Sequence, residues 1–94
     1  PADRLSMSHY RLGEIQLHAR DYTGASKTLQ LLLDKFPDDA LRARAWSMLA
    51  ETQIETNQLD EANRSIAAGR EAKPDESTSR SLILLDARVA ERQG

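Results

Sequence analysis

The chain has 94 residues, and its 13 basic and 15 acidic side chains give a net charge of −2. This balance argues against nucleic acid or an anionic membrane surface as the main partner, because both attract a basic excess. The absence of cysteine excludes disulfides, thiolate metal sites and cysteine nucleophiles, and no apolar run approaches the roughly 20 residues that span a bilayer. Since the chain starts at Pro1 without a visible signal peptide, we expect a fragment, whose composition suits cytosol and periplasm alike.

The predicted secondary structure is five α-helices, because helix-forming residues dominate and breakers fall at regular places. Asp21 and Asp75 are predicted N-caps of two helices, and Asp38 or Asp39 can cap another. Asn57 is expected to take the left-handed conformation at a helix end. In chain order, the helices are predicted at about 4–19, 22–35, 39–56, 59–72 and 76–92.

A repeat of 37 residues runs through these helices. Leu12 aligns with Leu49 and then with Asp86, while Ala25 aligns with Ala62. A period of this length is typical of stacked-helix arrays, in which each unit buries its apolar face only against its neighbours. The sequence therefore predicts an all-α solenoid.

The residues at matched positions of the repeat carry a family pattern. The first unit has His9, Leu12, Gly13, Gln16, Ala25, Leu29 and Pro37, the second has Trp46, Leu49, Ala50, Gln53, Ala62, Ile66 and Pro74, and the third has Ile83, Asp86, Ala87, Ala90 and Gly94. In this respect the chain resembles the tetratricopeptide repeat family, whose pattern is Trp, two residues, Leu-Gly, two residues, Tyr, and later Ala, three residues, Phe and Pro. The resemblance implies one domain over 1–94, a right-handed helix-turn-helix superhelix. Its first repeat would cover about 4–37, its second about 38–74, and 75–94 would form the first helix of a third repeat or a capping helix.

The chain departs from the family pattern at several positions. Gln16 and Gln53 occupy aromatic slots, His9 replaces Trp in the first unit, and Asp86 stands in a Leu slot. Trp46, in contrast, falls on the family's Trp position and is expected to be buried between the helices of its unit. The period of 37 residues exceeds the family's 34, and this lengthening resembles bacterial members of the cell envelope.

In this family the first helix of each unit lines a concave groove that binds a peptide or a helix. The resemblance therefore implies that the chain is a protein–protein interaction module, with a protein or peptide as its partner. Glutamates at this face, among aliphatic side chains and methionines, favour a segment that combines a basic residue with apolar anchors. The residues predicted to line the groove are Met7, Tyr10, Arg11, Glu14, Leu17, His18, Arg44, Ser47, Met48, Glu51, Ile54 and Glu55.

Other kinds of site receive little support from the sequence. His9 and His18 lie on opposite sides of one helix, about 180° apart, and cannot share a metal from it. No phosphate loop or nucleophile arrangement is present, so we expect no catalytic residues, metal or cofactor. Glu14 and Glu51 would repel a terminal carboxylate, which disfavours a chaperone clamp. Arg88 near the C-terminus is expected to complement the dipole of its own helix, as is Arg92.

A second interpretation is a structural spacer segment of a longer solenoid, for instance in a bacterial envelope assembly or polysaccharide-export protein. A third is a regulatory module fused to an enzyme. The run of apolar residues from Leu82 to Leu85 also predicts self-association through the last helix, since the capping helix of a solenoid usually has a polar outer face.

Overall fold

A computed structural model describes residues 4–36 and 40–94. Five α-helices follow one another, α1 (Arg4–His18), α2 (Tyr22–Lys35), α3 (Arg42–Glu55), α4 (Leu59–Glu71) and α5 (Glu76–Gln93), and no strand occurs in these two ranges. The all-α prediction is confirmed, and the helix bounds lie close to those expected. The predicted caps of α2 and α5 also form, because the carboxylate of Asp21 accepts the Gly24 amide at 3.0 Å and that of Asp75 accepts the Thr78 amide at 2.8 Å.

The predicted start of α3 at residue 39 is wrong, because this helix begins at Arg42. Leu41 is at its N-cap position, and its side chain makes no capping hydrogen bond. The start is held instead by Arg42, whose guanidinium donates to the Leu33 carbonyl at 3.0 Å near the end of α2. The proposed caps Asp38 and Asp39 lie outside the described residues.

The helices form two rows. The inner row consists of α1, α3 and α5, in which α3 contacts both of the others, and the outer row consists of α2 and α4, which do not touch each other. In the outer row, α2 packs against α1 and α3, and α4 packs against α3 and α5. We call the side formed by α1, α3 and α5 the concave face, since it is the surface toward which a stack of this kind curves.

The turn that ends each inner helix repeats with the sequence period. Arg20, Asn57 and Gly94 have φ angles of 63°, 60° and 84°. The Arg20 and Asn57 amides each donate to the carbonyl three residues back at 3.0 Å, and the Gly94 amide does so at 3.3 Å. The left-handed prediction for Asn57 is confirmed, and the repeat extends to an arginine in a conformation that glycine and asparagine favour.

The core consists of two apolar clusters, one for each junction between units. The first joins α2 to α3 and is formed by Leu29, Leu32, Leu33, Ala45 and Leu49. The second joins α3, α4 and α5 and is formed by Ala50, Ile54, Ala62, Ile66, Leu82, Leu85 and Val89. Within each unit a small residue permits close helix approach. A Cβ added at Gly13 would lie 2.9 Å from Leu29 Cδ2, so this position of α1 has no room for a side chain.

The two junctions exchange large and small residues at equivalent positions. At the first junction Leu32 of α2 and Ala45 of α3 share one cluster. One period later, Gly69 occupies the Leu32 position and Leu82 occupies the Ala45 position. A Cβ at Gly69 would lie 3.0 Å from Leu82 Cδ2, so the leucine fills the space that a larger α4 residue would take.

A second exchange explains the acidic residue in a Leu slot. Leu33 and Leu49 belong to the apolar cluster of the first junction. The residues one period later are Arg70 and Asp86, whose side chains form an ion pair at 3.3 Å between α4 and α5. An apolar pair in one junction is therefore an exposed ion pair in the next, and α5 remains packed on α4.

The glutamines in the aromatic slots make one repeated hydrogen bond. The Thr28 hydroxyl donates to Gln16 Oε1 at 2.7 Å, and the Ser65 hydroxyl donates to Gln53 Oε1 at 2.7 Å. Both partners shift by the same 37 residues. In the second unit Gln53 and Ser65 are 8% and 2% exposed, so their hydrogen bond satisfies polar atoms that have little access to water.

The two residues at the Trp position are both half-buried, whereas the sequence predicts that Trp46 is buried. Trp46 is half-buried rather than buried, because one side of it packs on the first cluster while Arg42 lies 5.9 Å from its ring centroid. His9 in the first unit contacts the Phe36 ring edge-on at 5.8 Å, and its Nδ1 lies 2.6 Å from the Leu5 carbonyl oxygen. These contacts give His9 a packing role.

Candidate protein-binding groove

The concave face contains a depression of about 390 Å³ where α1, α3 and α5 meet. α1 contributes one aromatic wall, α3 the floor, and the first turns of α5 a row of hydroxyls. The lining residues are Tyr10, Arg44, Ser47, Met48, Glu51, Ser77, Thr78 and Ser81. Five residues predicted from the sequence are therefore brought together in one concavity, and three residues of α5 complete it.

Two smaller depressions continue the first along the same face. One of about 260 Å³ is lined by Leu17, His18, Arg20, Tyr22, Glu51 and Glu55. The other, of about 270 Å³, is lined by Ser47, Glu51, Ser81, Leu84, Leu85 and Arg88. Glu51 borders all three depressions. We call the three together the groove, and Glu51 lies at its centre.

Some residues predicted to line the groove offer little or no surface to a partner. Leu17 is 7% exposed, and Ile54 is fully buried in the cluster beneath α5. The side chain of Ile54 cannot contact a bound segment, and Leu17 supplies only the edge of a depression. Met7 is 37% exposed; it lies on α1 beside the groove, as does Arg11, and neither borders the three depressions.

The residues from α5 were missed, although the repeat carried a signal for most of them. Adding one period to Arg44, Ser47 and Glu51 gives Ser81, Leu84 and Arg88, all of which border the groove. Ser77 and Thr78 had no such signal, because their equivalents precede α3. They reach the groove because Asp75 starts α5 with its first turn against α3.

Ion pairs neutralise most charges along the groove. Arg11 pairs with Glu14 at 3.2 Å, and Arg44 pairs with Asp75 at 3.2 Å. At the other end of α5 a third pair, between Arg88 and Glu55, has an N–O distance of 2.7 Å. Within residues 4–36 and 40–94, Glu51 has neither a hydrogen bond nor an ion pair from its side chain. The centre of the groove therefore carries an unneutralised carboxylate.

Arg92 lies in the last turn of α5, and the complement of the helix dipole by Arg88 and Arg92 stays a prediction, to which the structure adds contacts with α3. Arg88 extends to Glu55, and Arg92 donates to the Ile54 carbonyl at 2.9 Å. That carbonyl belongs to the last turn of α3 and also accepts the Asn57 amide at 3.0 Å, so Arg92 adds a second hydrogen bond to it. The two arginines fasten α5 to the end of α3.

Two ionisable groups at the groove have shifted pKa values. Burial, reinforced by the Glu14 carboxylate, raises the pKa of Tyr10, so its phenol stays protonated and can donate a hydrogen bond. The backbone amide of Thr78 lowers the pKa of Asp75 to about 2, with a further contribution from Arg44. Asp75 is therefore ionised at neutral pH and keeps Arg44 engaged.

A metal site and a membrane-spanning helix each place requirements on the side chains and helices of the described residues. Among the described residues, no group of three or more His, Asp and Glu side chains is placed to bind a metal ion. In the same ranges, the helices lack the length and hydropathy needed to cross a membrane.

Comparison with known families agrees with the repeat geometry. Residues 7–39 match the family model of the tetratricopeptide repeat. Searches of curated proteins and of solved structures gave no significant match. The matched segment is the first unit, α1 and α2 with the connection that follows them, and the same turns and hydrogen bonds recur one period later in α3 and α4. This match, over the first unit alone, supports an assignment of the chain to the tetratricopeptide repeat family.

Proposed function

We propose that the groove of this chain binds an extended or helical segment of a partner protein. Tetratricopeptide repeats are, as a family, protein–protein interaction modules and typically non-catalytic. The observation that carries the finer proposal is the meeting of three inner helices around one depression that combines apolar, hydroxyl and charged groups. Such a mixture suits a binding surface, which needs apolar contact area together with a few directional polar groups.

Contacts at both ends of α5 support the shape of the groove. α5 is fastened to α3 by Arg44 and Asp75 at one end and by Arg88 and Glu55 at the other. The walls of the depression are present in the chain alone, without a partner. A partner then loses less ordering free energy to the protein on binding.

Site-specific photo-crosslinking tests this proposal. A benzophenone amino acid would replace Ser47, which lines the groove, or Arg64, which is exposed on α4. We expect partner proteins from the source organism to crosslink from Ser47 and not from Arg64. The same partners appearing equally from both positions, or from Arg64 alone, would contradict binding in the groove. Far-ultraviolet circular dichroism of both variants controls for loss of fold.

A second candidate is a spacer segment of a longer solenoid, and a specific observation favours it. Leu12 is 48% exposed on α1, whereas Leu49, one period later, is fully buried by α2. At the other end, Ile83 and Leu84 of α5 are 62% and 65% exposed. Leu12 corresponds to a position that a neighbouring helix covers inside the array, and the exposed apolar side chains at both ends also suit self-association. The bacterial envelope subgroup is a narrower form of this candidate and stays a prediction.

A further inference from the structure

The centre of the groove has a distinct chemical character. Glu51 is half-buried on α3 between the α1 and α5 walls. Of the arginines that border the groove, Arg44 and Arg88 are engaged by other carboxylates. Arg20 and His18 border one depression together with Glu51, and within the described ranges neither forms an ion pair with it. A carboxylate that is partly removed from water and lacks an ion-pair partner gains more from an incoming cation than one at an open surface.

The surroundings of Glu51 limit which cation fits. Met48 and Tyr10 line the same depression and pack at the margin of the first cluster, so they present apolar surface beside the carboxylate. Lysine and arginine combine a cationic end with an aliphatic stem that packs on such surface. An acidic or phosphorylated side chain would instead meet Glu51, with Glu55 close by.

We propose that the bound segment of the partner places a lysine or arginine side chain on Glu51, with its aliphatic stem against Met48 and Tyr10. This inference rests on the proposed binding of a polypeptide in the groove. The sequence pointed to both Glu14 and Glu51 as contacts for a basic residue. The structure separates them, because the Glu14 carboxylate already accepts from Arg11 at 3.2 Å while Glu51 is unengaged among the described residues.

The repeat supplies a matched control. Glu14 and Glu51 are the same residue type at the same position of successive units. Glu51→Gln and Glu14→Gln therefore make the same chemical change, and each keeps the side-chain shape. We expect Glu51→Gln to weaken a groove-bound peptide about 10-fold or more, as is usual when a charge-assisted hydrogen bond is lost. Glu14→Gln should weaken it less than about 3-fold, since its charge is already paired.

The experiment uses random 12-residue peptides displayed on phage and selected on the whole 94-residue chain. Peptides that no longer bind a Ser47→Arg variant are taken as groove binders, and their affinities are measured by titration calorimetry as synthetic peptides. We expect the groove binders to share a lysine or arginine, whose replacement by Gln abolishes the difference between wild type and Glu51→Gln. Their affinity for the wild type should also fall with added salt more steeply than their affinity for Glu51→Gln.

Each outcome has a defined meaning. This inference would be overturned, and groove binding left intact, if the groove binders shared no basic residue. The same would follow if Glu51→Gln lowered their affinity by less than about 3-fold. Acidic peptides among the groove binders would overturn it as well. A selection that gives no peptide sensitive to Ser47→Arg would refute the proposed function itself, and this inference with it.

Discussion

Exchanging the residues of one junction for those of the other should restore stability that each single change removes. Leu82 is fully buried, and Leu82→Ala should cost about 2–5 kcal/mol through lost contacts and a residual cavity. Gly69→Leu places a side chain where even a Cβ lies 3.0 Å from Leu82 Cδ2 and 3.3 Å from Trp46 Cβ. We expect this overpacking to lower the free energy of unfolding by about 1–3 kcal/mol. That loss is net of a gain of roughly 1 kcal/mol from replacing a helical glycine.

The double variant Gly69→Leu with Leu82→Ala recreates the Leu32 and Ala45 arrangement of the first junction. Its net loss should be below about 1.5 kcal/mol, the range of volume-conserving core changes, so the sum of the two single losses should exceed the loss in the double variant by at least ~1.5 kcal/mol. Urea unfolding followed by circular dichroism gives the four free energies of unfolding, and each kcal/mol should move the melting temperature by about 4–8 °C.

The matched control combines Leu82→Ala with Leu29→Ala, a buried leucine in the other cluster. These two losses should add within about 0.5 kcal/mol, as distant changes do. If the Gly69 and Leu82 changes add equally well, the two junctions are not equivalent packings of one design, and the reasoning from the 37-residue period is refuted.

Three further predictions concern single features. Ser65→Ala should lower stability by about 1–3 kcal/mol because Gln53 Oε1 stays buried without its donor, and an unfolding midpoint unchanged in urea would contradict this. Asp75 has its pKa lowered from 3.8 to about 2, so its contribution is complete above pH 4 and is lost as the pH falls towards 2; the stability difference between wild type and Asp75→Asn in acid titration should shrink over that interval, and a constant difference would contradict the linkage. The double variant Ile83→Lys with Leu84→Lys should show less concentration-dependent association in sedimentation, at unchanged helicity. A wild type that stays monomeric at high concentration would contradict self-association through this face.

The sequence predicted the helices because the signals for them are local. The carboxylate of Asp21 needs only the next three residues to cap α2, and the turn at Asn57 needs only the end of its own helix. The start of α3 failed as a prediction because it depends on a contact with another helix, the Arg42 bond to the Leu33 carbonyl. No local pattern encodes that bond.

The groove could be predicted in outline only. Transfer by position identified Tyr10, Met48 and Glu51, since the first helix of each unit faces inward in this family. It could not tell that Ile54 is covered by α5, because that burial depends on where α5 lies. Nor could it separate Glu14 from Glu51, since the pairing of Arg11 is a matter of side-chain geometry.

The unlike chemistry of the two junctions also bears on how reliably the chain orders its units during folding. Repeat proteins risk pairing a helix with the equivalent helix of the wrong unit, because neighbouring units are alike. If α2 paired with α5, Leu32 would lie against Leu82 and crowd it. Leu33 would then lie against the carboxylate of Asp86 on α5. The reverse error would set Gly69 against Ala45 and leave a void. Each junction therefore accepts its own partner and penalises the alternative, which fixes the order of the units along the stack.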